Sequence, residues 1–127
     1  MSTRRILLVE DNEQDELLTL CALRTAHIPN AVDVVHDGQQ AVDYLLASGE
    51  FAGRAGLPAP AVVMLDLNLP RLGGLEVLQR VRADPRTATQ PVVVLTSSDE
   101  QHVLARCYAL GCNSFVRKPV DFTEFAD

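Results

Sequence analysis

The chain has 127 residues and a formal net charge of −6 at pH 7. That length suits one domain, spanning residues 1–127, with a core that needs no metal or disulfide to hold it. The basic residues do not cluster, which disfavours nucleic acid and anionic membranes as partners. No apolar run approaches the roughly 20 residues that span a bilayer, and the N-terminus lacks a signal-peptide core, so we expect a cytoplasmic protein. The three cysteines lack metal-binding spacing and are expected to be buried, reduced thiols: Cys21, Cys107 and Cys112.

A strand followed by a helix is predicted at the start of the chain. Residues 5–10 contain four consecutive apolar residues, which is typical of a strand covered on both faces in a parallel sheet. Asn12 can cap the helix that follows, and the acids of its first turn, Asp15 among them, suit the positive end of the helix dipole. This helix should end near His27. The residues expected on its buried side are Leu17, Leu20 and Cys21.

The next two elements are followed by a long connection. Residues 31–35 predict a second strand, and the apolar spacing within 39–48 predicts a second helix. The stretch 49–60 contains several glycines and prolines, so we interpret it as a loop. Its length of about a dozen residues exceeds the usual connection of about 4–6, which indicates a specific use.

The second half of the chain repeats the alternation of strands and helices. The predicted elements are a strand ending at Asp66, a helix introduced by Gly73 and Gly74 and stopped at Asp84, a strand over 91–96, a helix over about 98–110, and a strand over 114–116. A last helix should begin near Asp121, and the sequence ends after fewer than two turns of it. This alternation predicts an α/β fold built on a doubly wound parallel sheet.

Polar side chains stand where four of the predicted strands end. Glu10 and Asp11 follow the first strand, Asp66 ends the third, Thr96 ends the fourth, and Lys118 follows the fifth. The carboxyl ends of neighbouring parallel strands lie on one edge of the sheet, where ligands of such folds bind. We therefore expect these residues, scattered along the chain, to form one site.

The residue types of the expected site predict that it binds a divalent cation and a phosphoryl group. Three clustered carboxylates would repel one another by roughly 4 kcal/mol per pair at 4 Å and an effective dielectric constant of 20. A divalent cation relieves that repulsion, and hard oxygen ligands favour Mg²⁺, with Mn²⁺ as a substitute. Such a cation and Lys118 bring the three carboxylates close to neutrality. With phosphoryl oxygens held by the metal, Lys118 and Thr96, a carboxylate oxygen of Asp66 could attack phosphorus in line.

Four segments resemble the receiver domain of two-component response regulators. They are residues 8–12 (LVEDN), 65–70 (LDLNLP), 94–98 (VLTSS) and 116–119 (VRKP). The resemblance implies a flavodoxin-like (βα)5 fold, with a five-stranded parallel sheet in the order 2-1-3-4-5 and, here, a truncated last helix. It is specific because five residue types fall in the family's order on four strand ends.

The resemblance also assigns a role to each site residue. It implies that Asp66 accepts the phosphoryl group and is a metal ligand, that Asp11 binds Mg²⁺ directly, and that Glu10 binds it through a water. The backbone carbonyl of Asn68 would complete the protein's contribution to the metal. No other cofactor is implied.

Two further residues would take part in catalysis and switching. By the same resemblance, Thr96 and Lys118 would contact the phosphoryl group. Phosphorylation would draw Thr96 inward, and Phe115 would follow as the aromatic residue of a two-state switch that partners read.

Some features are similar to a narrower group, the stand-alone regulators paired with phytochrome histidine kinases. These are the long connection 49–60, the run 66–74, and the pair 84–85 before Pro91. The expected partner is therefore a sensor histidine kinase of the phytochrome type. We also expect a homodimer formed through the fourth helix, the fifth strand and the last helix. That expectation depends on two phenylalanines in a short final helix, Phe122 and Phe125.

Other functions remain open from the sequence. One is a scaffold, or an intermediate carrier that passes the phosphoryl group to a histidine phosphotransfer protein. A phosphatase with an aspartyl-phosphate intermediate would share the Asp66 nucleophile, but it would need an acid two residues later, where Asn68 stands. A nucleotide or flavin binder would need a Gly-rich first turn, which is absent. We expect a signalling protein that catalyses its own phosphorylation and slow dephosphorylation, not a turnover enzyme.

Overall fold

The computed structural model describes residues 4–97 and 101–118. Within them, strands and helices alternate along the chain. The strands are β1 (Ile6–Val9), β2 (Val32–Val35), β3 (Val62–Asp66), β4 (Val92–Thr96) and β5 (Ser114–Arg117). The α-helices are α1 (Glu13–Thr25), α2 (Gly38–Leu46), α3 (Gly74–Ala83) and α4 (Gln101–Ala109). The predicted last helix, with Phe122 and Phe125, lies outside the described residues, as does the predicted start of α4 at Ser98.

The five strands form one parallel sheet in the order β2-β1-β3-β4-β5, as predicted. The central strand pairings place Val9 beside Leu65 and Asp66 beside Leu95. At the far side, Thr96 pairs with Arg117, directly before Lys118. The residues that follow β1, β3, β4 and β5 therefore meet at the carboxyl edge of the sheet.

Alternate residues of the strands fill two apolar layers, one on each face of the sheet. Leu7 and Leu65 belong to the layer beneath α2, α3 and α4, while Leu8 and Met64 belong to the layer beneath α1. Leu7 and Leu8 are completely buried. Burial on both faces explains why β1 has continuous apolar residues instead of an alternating pattern.

The predicted orientation of α1 is wrong in part. Leu17 is 60% exposed and Cys21 is also exposed, whereas Thr19 and Leu23 are buried. The helix has leucines around most of its circumference, so its sequence does not define a single apolar face. The expectation of buried thiols is confirmed for Cys107 and Cys112 but is wrong for Cys21.

The long connection after α2 is also more ordered than predicted. Gly49–Arg54 forms a 3-10 helix, and Phe51 packs edge-on against Tyr44 with ring centroids 5.4 Å apart. The guanidinium of Arg54 lies 3.7 Å from the centre of the same tyrosine ring. Arg4 donates hydrogen bonds from its guanidinium to the carbonyl oxygens of Ala59 and Pro60. The connection therefore packs at the amino edge of the sheet, opposite the predicted site.

Among the described residues, no helix has the length and apolar character needed to cross a membrane.

Candidate functional site

The structure brings the three predicted acids together. Glu10 follows β1 and is completely buried, and Asp66 ends β3 and is almost as buried. Asp11 is exposed beside them. One carboxylate oxygen from each of these residues lies within 4.8 Å of the others. This set of hard oxygen donors fits Mg²⁺ or Mn²⁺, which prefer carboxylate ligands.

Backbone groups fix the two buried carboxylates. The amide of Asn12 donates to Oε2 of Glu10 over 3.2 Å, and the amide of Asn68 donates to Oδ1 of Asp66 over 3.2 Å. A Cβ atom on Gly74 would lie 2.4 Å from the carbonyl oxygen of Asp66. Only glycine therefore allows α3 to begin directly against the end of β3.

The loop that carries Asn68 is tied to the start of α2. A Cβ atom on Gly38 would lie 1.9 Å from the carbonyl oxygen of Leu72, so backbone from the two segments is in direct contact. Nη1 of Arg71 lies 3.3 Å from Oδ2 of Asp37, which also caps α2 by accepting from the amide of Gln40. These contacts hold the loop against the start of α2, and Asn68 of that loop lines the same cleft as Asp11 and Asp66.

Lys118 lies at the centre of the charged groups. Its Nζ atom is 2.7 Å from Oε1 of Glu10, 3.0 Å from Oδ2 of Asp15 and 3.1 Å from Oδ2 of Asp66. The amide of Lys118 donates to the carbonyl oxygen of Thr96 over 2.9 Å. That bond joins the ends of β4 and β5, and it brings the buried Thr96 to the same edge.

Burial and crowding shift the pKa values of two site residues. The pKa of Glu10 is raised to about 7, chiefly by burial and also by the neighbouring carboxyl of Asp66, against the opposing effect of Lys118. Burial alone would lower the pKa of Lys118, but Glu10, Asp15 and Asp66 outweigh that effect and hold it above its usual range. The ammonium therefore stays charged at neutral pH.

Asp11, Asp66 and Lys118 line an open cleft of about 730 Å³ at the carboxyl edge. Its lining is polar apart from Leu18, and it includes Asn68 and Ser97. A cleft with carboxylates, an ammonium and room for a phosphoryl group can support metal-dependent phosphoryl transfer to Asp66.

Comparison with known proteins agrees with this chemistry. The family description "Response regulator receiver domain" matches residues 6–127. The chain belongs to the response regulator receiver family. It is therefore a receiver of two-component signalling, and the phosphatase and nucleotide-binding hypotheses have no support.

Two relatives, AtBRR and Rcp1, place this receiver more closely. The solved structure of the bacteriophytochrome response regulator AtBRR is 50% identical, with a TM-score of 0.89, and the match covers 98% of this chain and 89% of AtBRR. The response regulator Rcp1 of Synechocystis sp. is 36% identical over 113 residues, which are 89% of this chain and 75% of Rcp1. A Mn²⁺-bound form of Rcp1 has also been solved, with 33% identity, a TM-score of 0.82, and coverage of 98% and 87%. Receiver relatives of this kind imply a histidine kinase as partner.

Sequence reasoning missed one residue of the receiver's site. The sequence pattern predicts Asp15 only as an acid that suits the start of α1, yet its carboxylate contacts Lys118. The backbone amide of Asp15 donates to Oδ1 of the capping residue Asn12 over 2.9 Å, which fixes the position of Asp15 in the first turn. A signal was present in the sequence, because Asp15 belongs to the first turn of a helix that follows β1 directly, and such a turn lies at the carboxyl edge of a parallel sheet.

The proposed switch residue Phe115 is half-buried in the receiver. It packs edge-on against Tyr108 of α4, with ring centroids 5.9 Å apart. On the sheet, Phe115 pairs with Val94, two residues before Thr96. The position is compatible with either a core residue or a residue that follows Thr96.

Proposed function

We propose that Asp66 accepts a phosphoryl group from the phosphohistidine of a sensor kinase, and that the resulting change of shape carries the signal. The observation that supports this most strongly is the convergence of Glu10, Asp11 and Asp66 on one edge with Lys118. These residues come from three separate parts of the chain. A purely structural role would not require four charged groups at one site.

The transfer would break the phosphorus–nitrogen bond of the phosphohistidine and form a bond between phosphorus and a carboxylate oxygen of Asp66. The imidazole nitrogen would leave with the electron pair of the broken bond. Mg²⁺ held by Glu10, Asp11, Asp66 and the carbonyl of Asn68 would neutralise charge on the phosphoryl oxygens. Lys118 would donate to a second oxygen and the hydroxyl of Thr96 to a third. The protein would promote its own phosphorylation and slow dephosphorylation without acting as a turnover enzyme.

We assign the kinase to the phytochrome type. Support comes from solved neighbours whose names identify them as phytochrome response regulators, among them AtBRR and the phosphorylated RcpA, which is 35% identical with a TM-score of 0.82. The three free thiols agree with a reducing, cytoplasmic location. The net charge of −6 gives no support to binding of nucleic acid or an anionic membrane.

We also propose a homodimer formed through α4, β5 and the segment that follows β5. Its support is Tyr108, an aromatic residue of α4 that is half exposed although it packs on Phe115 of β5. Sedimentation at tens of micromolar should show a dimer. A strict monomer, both with and without phosphorylation, would contradict the proposal.

The phosphorylation itself is tested with a small acyl-phosphate donor and Mg²⁺, followed by intact mass. We expect one added phosphoryl group, labile to hydroxylamine. It should be absent from Asp66→Asn and absent from the wild-type protein when EDTA replaces Mg²⁺. Asp43→Asn, the same substitution on α2 away from the cleft, serves as the matched control and should be phosphorylated normally. An adduct on Asp66→Asn would place the acceptor elsewhere.

A further inference from the structure

Lys118 has one more carboxylate partner than the transfer reaction accounts for. An ammonium has three donors, and three carboxylates surround this one at 2.7, 3.0 and 3.1 Å. Glu10 and Asp66 are already part of the proposed chemistry. The third partner, Asp15, comes from α1 and is the most accessible of the three, with its side chain 34% exposed against 0% for Glu10 and 5% for Asp66. No step of the proposed transfer requires it.

Asp15 also changes the charge balance of the cleft. Three carboxylates, the ammonium of Lys118 and a divalent cation would balance one another. Asp15 adds a negative charge to that set, within the same cleft that Asp66 and Lys118 line. Its Oδ2 and that of Asp66 both lie within about 3 Å of one nitrogen, so they are no more than about 6 Å apart. A phosphoryl group on Asp66 would therefore have a carboxylate as a close neighbour.

We propose that Asp15 is a positioning residue that holds Lys118 on the α1 side of the cleft and thereby weakens retention of the phosphoryl group on Asp66. The inference rests on the proposed function of Asp66 and Lys118. Asp15 acts in two ways, and both weaken retention of the phosphoryl group. It competes with the phosphoryl oxygens for the donors of Lys118, and its charge repels those oxygens.

The same charge has the opposite effect on a cation. A carboxylate beside Glu10, Asp11 and Asp66 attracts Mg²⁺ even if it is not a ligand. Replacing Asp15 by asparagine keeps the shape and one acceptor oxygen but removes the charge. The variant should therefore bind a phosphoryl analogue more tightly and Mg²⁺ more weakly. Loss of local structure would weaken both, so opposite changes distinguish positioning from a merely structural role.

The experiment uses the whole chain and two separate titrations, Mg²⁺ alone and then beryllofluoride at saturating Mg²⁺. Wild-type protein is compared with Asp15→Asn and with Glu13→Gln, which removes an exposed acid from the same turn of α1. The control therefore matches the change in net charge and in the helix dipole. Asp15→Glu tests whether a carboxylate on a longer side chain restores the wild-type behaviour.

We expect Asp15→Asn to bind beryllofluoride on the order of 5- to 10-fold more tightly and Mg²⁺ about 3-fold more weakly than wild type. Glu13→Gln should stay within about twofold for both ligands, because exposed charges at a distance are screened. Asp15→Glu should lie closer to wild type than to Asp15→Asn.

Two results would overturn the inference. One is an unchanged or weaker beryllofluoride affinity in Asp15→Asn, which includes a loss of affinity for both ligands, and the other is an equal gain in Glu13→Gln. Failure of the proposed function has a different signature, since wild-type protein would then bind no beryllofluoride in the presence of Mg²⁺. That result would overturn the proposed function and this inference together.

Discussion

The two edges of the sheet use charged residues in opposite ways. At the amino edge, where β4 and β5 begin, the guanidinium of Arg82 donates to the carbonyl oxygens of Gly111, Ala88 and Gln90 and to Oδ1 of Asn113. One cation there meets four neutral acceptors. At the carboxyl edge, the ammonium of Lys118 is shared by three carboxylates.

A second charged group at the amino side, an ion pair, also differs from the carboxyl edge in having matched partners. Arg5 and Asp33 form a bidentate pair at 2.7 and 2.8 Å, and the hydroxyl of Tyr44 donates to the same carboxylate. Each charge has its own partner. The carboxyl edge instead has more acids than bases, and it includes Glu10, whose pKa is raised to about 7 by burial. Matched charges at one edge stabilise the fold, and the unmatched charges at the other are suited to binding a cation and a phosphoryl group.

The largest expected effect comes from replacing Lys118, the central cation of the carboxyl edge. The same replacement of Arg82, the central cation of the amino edge, is the comparison. Lys118→Met should lower beryllofluoride affinity by about 100-fold or more, because a charged donor to the phosphoryl analogue is lost. Arg82→Met should leave that affinity within about twofold of wild type, since the residue lies at the other edge. Titration with beryllofluoride at saturating Mg²⁺ measures both.

The free energy of unfolding should distinguish the two variants in the opposite way, because the effect is expected in Arg82→Met. Arg82→Met loses four hydrogen bonds and should lower the free energy of unfolding by about 2–3 kcal/mol in urea denaturation. Arg80→Met is the matched control, because Arg80 is exposed on the same helix and should cost well under about 1 kcal/mol. If Arg82→Met unfolded like wild type, or weakened beryllofluoride binding as much as Lys118→Met, the contrast between the edges would be wrong.

The sequence predicted the carboxyl edge well because strand ends are marked clearly in it. A run of apolar residues that stops at Asp66 or Thr96 identifies both the strand and the residue at its end. Parallel pairing then brings those ends together without any knowledge of side-chain conformation. The fold class and the meeting of Glu10, Asp11, Asp66 and Lys118 follow from that rule.

The features that the sequence did not reveal depend on helix rotation and on tertiary contacts. The exposure of Leu17 and Cys21 depends on which side of α1 faces the sheet, and leucines around the helix leave that choice to packing. The role of Asp15 depends on the same rotation. The 3-10 helix Gly49–Arg54 packs on Tyr44 through Phe51, a contact that glycine and proline content cannot predict.

The smallest expected effect is a pH dependence at the amino side. Burial and the hydrogen bond to Asp33 raise the pKa of Tyr44 to about 12, above the value of about 10 for a free tyrosine. A group whose pKa is higher in the folded state contributes its full stability below the unfolded pKa and loses it as the pH rises through the folded pKa. Stability from Tyr44 should therefore be complete below pH 10 and should disappear between about pH 10 and 12.

Tyr44→Phe isolates this contribution, since other groups titrate in the same range in both proteins. Below pH 10 the wild-type protein should be more stable than the variant by about 1–2 kcal/mol, because the variant leaves Asp33 without its phenol donor. The difference should narrow steadily toward pH 12 as the phenol ionises on unfolding. Urea denaturation at several pH values measures it. A difference that stays constant to pH 12 would mean that the phenol ionises equally well in the folded protein. The amino side would then lack the matched partners, among them the bond from Tyr44 to Asp33, that set it apart from the carboxyl edge.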